Sequence, residues 1–221
     1  MTNKQAFSIL ITVDVEDWFQ VENFKPWIAH TSWDSRDLRV EKNCHRLMDL
    51  FDSIPGVRVR ATFFILGWIA VRLPKLVKEI QRRGHEVASH GFGHDLCTHL
   101  SRKYLLEDLI RSRKILEDIT GNPVKGYRAP SFAINNEILF LIEQSGYAYD
   151  SSYNSFDGHG RYGSIDVAGK KRNGIAIEFS DTFQELPVSN FVFKDKTFPL
   201  GGGGYFRLFP FFFSNRESSM Y

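Results

Sequence analysis

Along the first two-thirds of this 221-residue chain, short apolar runs alternate with segments whose apolar residues recur at helical spacing. Residues 8–13 are apolar and β-branched and end at acidic residues, which predicts a buried strand. Residues 40–51 read as a helix, and residues 57–66, with a TFFI core, as a second strand. A helix is expected over 74–83, stopped by Gly84, and a short strand over 86–89. Ser101 reads as the N-cap of a long amphipathic helix through residue 119, closed by Gly121. A short strand at 125–127, a helix at 135–144 stopped by Gly146 and a strand at 147–149 follow. Beyond about residue 155 the pattern becomes irregular and glycine-rich, with strand-like pieces at 175–179 and 185–188. Strands alternating with helices predict an α/β fold, a parallel sheet or barrel of βα units. Chemistry in such folds gathers at the C-terminal ends of the strands.

Composition narrows the picture only modestly. Hydrophobic residues make up 43% and charged residues 24%, ordinary for a globular protein, and the length suits one sizeable core. A net charge of +2 gives no argument for nucleic acid or an anionic membrane as partner. The two cysteines, Cys44 and Cys97, form no CxxC pair and no disulfide framework, which fits a reducing compartment. The apolar stretch 7–13 is too short for a signal peptide or a membrane span, so the expected location is cytoplasmic, with recruitment by a membrane-bound partner left open. Of 20 phenylalanines, Phe206, Phe209, Phe211, Phe212 and Phe213 crowd the end of the chain. They are expected to pack against structure that follows, and to make this chain poorly soluble by itself.

Three constellations follow predicted strands. Asp14-Val15-Glu16-Asp17 places three carboxylates in four residues, which repel one another unless a positive charge sits among them; the plain alternative is a solvated acidic turn. In SHGFGH, His90 and His94 are four apart and can converge on one metal if the turn between them is near-helical. With a carboxylate from the first motif they make a two-histidine, one-carboxylate site. The HExxH spacing of zinc proteases is absent, because His85 and His90 are five apart. In GYRAPSF, Arg128 can hold a carboxylate, and Pro130 stiffens the loop. Trp18, Phe19, Trp27, Tyr127, Phe132 and Tyr153 are aromatics able to stack on sugar rings, although most aromatics are core.

Taken in this order, these motifs resemble the polysaccharide deacetylase family, the NodB-homology carbohydrate esterases. DVEDWFQ, ATFFILG, SHGFGH, YRAPSF and the late GGGGYFRL are similar to the branch found with bacterial exopolysaccharide export loci, and the likeness covers about residues 9–208. The resemblance implies a single domain over 1–221, folded as a distorted (β/α)7-type barrel. It implies a metal-dependent hydrolase, zinc by default, that removes N-acetyl groups from the amino sugars of a polysaccharide or oligosaccharide during exopolysaccharide biosynthesis. Association with a membrane-bound export system accompanies that setting. By resemblance His90 and His94 are metal ligands, Asp14 the general base and Arg128 the residue that orients it. Glu16 is the third ligand, with Asp17 as the alternative. Tyr127, Pro130 and Phe132 are the expected substrate contacts.

One departure concerns the far end. Family members carry a late histidine that protonates the leaving amine, whereas the only histidine after His99 is His159, early and in a glycine-bounded loop. It reads as a loop residue, the chain as truncated, and the barrel and its acid as incomplete at the C-terminal end. Two rival readings are an inactive, metal-retaining glycan-binding relative and a non-carbohydrate linear amide hydrolase on the same fold. The intact His90/His94 pair argues against the second.

Overall fold

A computed structural model describes residues 9–156, 158–194 and 196–199. Five parallel strands form the first part of one sheet: β1 (Ile11–Val15), β2 (Ala61–Ile65), β3 (Glu86–Ser89), β4 (Gly126–Tyr127) and β5 (Tyr149–Asp150). Helix α1 (Val40–Asp52) joins β1 to β2, and α2 (Gly67–Arg72) with α3 (Pro74–Arg82) joins β2 to β3. Helix α4 (Arg102–Thr120) leads to β4, and α5 (Asn136–Gln144) to β5. An antiparallel unit follows, made of β6 (Arg172–Asn173), β7 (Ala176–Glu178) and β8 (Gln184–Glu185), with β8 parallel to β5. A separate hairpin pairs β9 (Asn190–Phe193) with β10 (Lys196–Pro199).

The strands are central because their apolar runs are covered on both faces. Phe63, Phe64 and Ile65 of β2 are all buried, as parallel sheets require. Helix α1 lays Val40, Cys44, Met48 and Phe51 against the sheet, and α4 lays down Leu105, Leu109, Ser112 and Leu116. Ser101 caps α4 by accepting from the Tyr104 N–H, and Asn135 caps α5 by accepting from Ile138 N–H. Both cysteines are free and buried, and burial pushes each thiol up to about 12, so neither is nucleophilic at neutral pH.

Several expected boundaries move. The first strand begins later, with Ile9 and Leu10 exposed and Ser8 outside the described residues. The second strand keeps only Ala61–Ile65, because residues 57–60 have no ladder partner to enter the core with. The strand expected at 147–149 is Tyr149–Asp150, and that expected at 185–188 is Gln184–Glu185. Helix α2 has no counterpart in the sequence reading. Gly67, Trp68, Ile69 and Ala70 are all buried, so its residues show no amphipathic period to mark a helix.

The sheet order is β1-β2-β3-β4-β5-β8-β7-β6, and among the described residues β1 and β6 are unjoined edges. The expected barrel is therefore an open, mostly parallel sheet over these residues, because the chain after β5 turns back into antiparallel strands. The phenylalanines at 206, 209 and 211–213 lie outside the described residues. No helix among the described residues is long and apolar enough to cross a membrane.

Candidate functional site

Parallel pairing carries one rung across the sheet: Val15 pairs with Ile65, Ile65 with Ser89, Ser89 with Tyr127, Tyr127 with Asp150 and Asp150 with Glu185. One residue beyond this rung stand Glu16, His90, Arg128 and Ser151. The chemistry-bearing residues thus leave the sheet together at the C-terminal ends of its strands, as α/β folds arrange their sites. Alternation along β1 adds Thr12 and Asp14 to the face of Glu16, while Val15 points into the core.

The histidine loop is not the near-helical turn that the spacing suggested. Gly91 has a φ of 75° and His94 a φ of 55°, so two left-handed residues bend the chain tightly. Gly67 N–H donates to Gly91 O at 2.8 Å, and Trp68 N–H donates to Phe92 O at 3.0 Å. A Cβ at Gly67 would stand 2.7 Å from the Phe92 ring, so only glycine admits this approach. On the other side Phe92 N–H donates to the Asp108 carboxylate at 3.1 Å.

One ligand atom each from Glu16, His90 and His94 lies within 4.8 Å of the others. His90 Nδ1 is 2.8 Å from the Arg128 carbonyl, which only accepts, so Nδ1 carries the hydrogen and Nε2 keeps its lone pair. Glu16 Oε2 lies 2.7 Å from His94 Nε2, yet it is buried without a hydrogen bond of acceptable geometry. Two buried imidazoles and an incompletely satisfied carboxylate fit a divalent cation, with nitrogen and oxygen donors of the kind zinc accepts. Burial keeps His90 below its usual pKa and therefore neutral, as ligation needs. For His94 burial acts the same way, but the Glu16 carboxylate 2.7 Å away outweighs it and raises the pKa.

Beside the ligands, Arg128 is buried and donates four hydrogen bonds. It donates to Asp14 Oδ1 at 2.9 Å, to Thr12 Oγ1 at 2.8 Å, and to the carbonyl and hydroxyl of Ser151, each at 2.8 Å. Its guanidinium carbon sits 4.2 Å from the centre of the Phe64 ring. Burial works to raise the Asp14 pKa, but the charge and hydrogen bond of Arg128 prevail with help from His90 and His94, and hold it below 3.8. Asp14 is thus an oriented carboxylate beside the ligand cluster.

Other expected residues are placed elsewhere. Asp17 does not join the cluster: Oδ2 accepts from Arg39 N–H at 2.6 Å and Val40 N–H at 2.9 Å, and Oδ1 from Trp18 N–H at 2.8 Å. It satisfies orphan amides at the start of α1, because strand alternation turns it away from Glu16. Tyr127 is corrected as a substrate contact, since it is fully buried with its hydroxyl 3.3 Å from Cys97 Sγ. Pro130 is buried too, whereas Phe132 is half-buried with its ring 5.6 Å from the Arg128 guanidinium carbon. Phe19 belongs to the core with Trp33 and Trp68; Trp27 is 83% exposed on the loop after β1.

Sequence reasoning missed Thr12, Ser151 and the buried acids Asp150 and Glu185. Asp150 and Ser152 form a relay, with Ser152 Oγ donating to Asp150 at 2.8 Å and accepting from Ala129 N–H at 2.7 Å. Burial raises both Asp150 and Glu185 above ordinary carboxylates, so the pair retains a proton. The run Asp150-Ser151-Ser152 directly after an apolar strand was the available signal.

Asp108 yields a pH prediction. Burial pushes this half-buried carboxyl up to about 6 from 3.8 despite the Phe92 amide. Between these values the folded state binds more protons than the unfolded one, so stability falls as pH rises. The cost is on the order of 2–3 kcal/mol above pH 6, at ~1.4 kcal/mol per unit. Asp108→Asn is expected to stabilise the protein at pH 7.5 but hardly at pH 4. Denaturant melts of both proteins at both pH values test this, and an equal effect at each would refute it.

The fold is that of an α/β domain with a two-histidine, one-carboxylate cluster beside an Asp–Arg pair. Residues 34–149 match the family model described as polysaccharide deacetylase, just over half of the chain, and the chain belongs to that family. Residues 151–220 match a second model, described as a domain of unknown function (DUF3473). A peptidoglycan deacetylase-like protein of Gibberella zeae is 32% identical over 112 residues, 51% of this chain and 33% of that protein. A peptidoglycan-N-acetylglucosamine deacetylase of Bacillus cereus is 29% identical over 98 residues, 44% of this chain and 46% of that protein. The matched region thus spans a third to under half of these relatives. A solved structure from Mycobacterium smegmatis, assigned as a polysaccharide deacetylase, superposes with a TM-score of 0.59 at 24% identity. That match covers 88% of this chain and 64% of the other, and it shows the shared fold.

Proposed function

We propose that this chain is a metal-dependent hydrolase that removes N-acetyl groups from the amino sugars of a polysaccharide, with zinc as its ion. The carrying observation is the convergence of Glu16, His90 and His94 next to an Asp14 carboxylate oriented by Arg128. Family membership supports this reading, as does the N-acetylglucosamine named for the Bacillus cereus relative. The resemblance of the DVEDWFQ and GGGGYFRL segments to the export-locus branch supports exopolysaccharide biosynthesis as the setting, in the cytoplasm and beside a membrane-bound export system.

Glu16, His90 and His94 would hold a divalent ion, which when bound would supply Lewis acidity to make water a better nucleophile and polarise a carbonyl. Asp14, ionised and aimed by Arg128, accepts the proton of the attacking water. Arg128 cannot give up its own proton, so the pair stays polarised in one direction. His90 is locked in one tautomer by the Arg128 carbonyl, which couples ligand orientation to the placement of the base. Half-buried Phe132, its ring 5.6 Å from the Arg128 guanidinium carbon, would offer an aromatic face to a sugar ring.

Acetate release from N-acetylglucosamine oligomers by the purified chain with added zinc tests the proposal. His90→Ala and His94→Ala are each expected to lower metal affinity by ~10²-fold or more, since loss of an outer partner alone costs about 10–100-fold. Acetate release should fall in step. Release that persists in both variants, or in a chelator, would refute the reading; metal binding without any release would mark a glycan-binding relative instead.

A further inference from the structure

Asp150 stands between the two regions matched by different family models, residues 34–149 and 151–220. It pairs across the sheet with Glu185 of the second region, and both side chains are fully buried. A hydrogen bond joins the two carboxyls through the proton they retain. Burying two acids costs stability that an apolar pair would not, and the hydrogen bonds of these two lead to Arg128. We propose that Asp150 and Glu185 are positioning residues that hold Arg128 by both its guanidinium and its carbonyl, so that the second region aims the base. This inference rests on the hydrolase reading above.

The first arm runs through the peptide between Ser151 and Ser152. Its N–H, on Ser152, donates to Asp150 Oδ2 at 3.0 Å and to Glu185 Oε1 at 3.1 Å. Glu185 Oε1 also accepts from Tyr153 N–H at 2.9 Å, which fixes the next peptide. A trans peptide is planar, so anchoring its N–H on one side aims its carbonyl to the other. That carbonyl, on Ser151, accepts from Arg128 Nε at 2.8 Å. The Ser151 hydroxyl donates to Leu186 O at 2.9 Å, so a lone pair faces Arg128 Nη2, which donates to it at 2.8 Å. Residues 185 and 186 of the second region thus set both groups that grip the guanidinium.

The second arm runs through the peptide between Arg128 and Ala129. Ser152 Oγ donates to Asp150 Oδ1 at 2.8 Å, which turns its lone pairs to Ala129 N–H, 2.7 Å away. The opposite end of that planar peptide is the Arg128 carbonyl, the acceptor for His90 Nδ1. One acid pair therefore supports the residue that orients Asp14 and the group that orients a metal ligand. Neither acid belongs to the convergent ligand cluster. Both lie on the rung below Glu16, His90, Arg128 and Ser151, so they act through Arg128. The Arg128 charge acts back on Asp150, working against the burial that raises its pKa.

The test separates the two arms. Glu185→Met removes the acceptor while filling most of the volume. For zinc-loaded protein on N-acetylglucosamine oligomers it should lower kcat by ~10–10²-fold, the scale of a small misplacement at the reacting centre. KM and zinc stoichiometry should stay near wild type. Glu185→Gln keeps an oxygen for the two amides and an N–H for Asp150, and should recover most of the rate. In an Asp14→Asn background Glu185→Met should cost little more, since no base is left to aim. Ser152→Ala should weaken zinc binding by ~10–100-fold, as loss of a ligand's outer support does. Should Glu185→Met fail to fold, Glu185→Asp draws the carboxylate back by one methylene and takes its place.

A readout independent of turnover is exchange of the Arg128 Nε–H, assigned by its absence in Arg128→Met. Buried on the Ser151 carbonyl, it should be protected in wild type and Glu185→Gln and exchange faster in Glu185→Met. An unchanged kcat in Glu185→Met, no rescue by Gln, or an equal loss in both backgrounds would overturn the first arm. Unchanged zinc affinity in Ser152→Ala would overturn the second. A wild type that releases no acetate sinks the hydrolase reading, and Nε–H exchange then decides the positioning role by itself.

Discussion

Replacing Asp14 by Asn is expected to lower acetate release by ~10²–10⁴-fold, the usual worth of a positioned base, while zinc affinity stays close to wild type. Asparagine keeps the shape and the oxygen that accepts from Arg128, so the clamp across Thr12, Asp14 and Ser151 should persist. What disappears is an acceptor basic enough to take a proton from water. Asp14 is outside the convergent ligand cluster, which separates its role from that of Glu16. Acetate release and calorimetric zinc titration on the same preparation check both halves. A variant that turns over normally, or one that loses zinc, would reassign Asp14.

Arg128→Met should be the most destabilising substitution at the site, at about 3–5 kcal/mol, the range for removing one partner of a buried ion pair. Methionine fills much of the volume but leaves the Asp14 carboxylate and the Ser151 carbonyl without the donor they share. Asp14 has a depressed pKa, so its pairing contributes stability above 3.8 that is lost as pH falls through the folded value. The deficit of Arg128→Met should therefore shrink in acid. The double variant Asp14→Asn/Arg128→Met should cost less than the sum of the singles, because removing the charge also removes the penalty of leaving it unpaired. Urea melts of the four proteins form the cycle, and strict additivity would show that the two residues act independently.

Much of this molecule was legible in the chain itself. The helices α1, α3, α4 and α5 follow from helical spacing of apolar residues, the last three helped by terminal signals at Gly84, Ser101, Gly121 and Gly146, and β2 and β3 from short strand-like runs. Of the residues converging at the site, His90, His94 and Arg128 follow from motif chemistry, since few other side chains bind metals or hold carboxylates, whereas Asp14 and Glu16 were singled out among three neighbouring carboxylates only by the family resemblance. Local pattern failed where it carried no information about neighbours. Tyr127 lies beside Arg128 in sequence yet faces the core, since a two-residue strand is too short to reveal which face is buried. Asp17 and Glu16 are adjacent acids, and only the position of α1 showed that one of them serves backbone amides.

The chain alone therefore determined which chemical groups are present and, apart from α2, the main helices and strands before residue 151, because those depend on residue type and near-neighbour spacing. The tertiary structure decided which of them meet. The single rung from Val15 to Glu185 aligns residues far apart in sequence. That register is set by parallel pairing and by the volume of the packed core, for which no local segment carries a signal. Placing Ser151 on Arg128 depends on it.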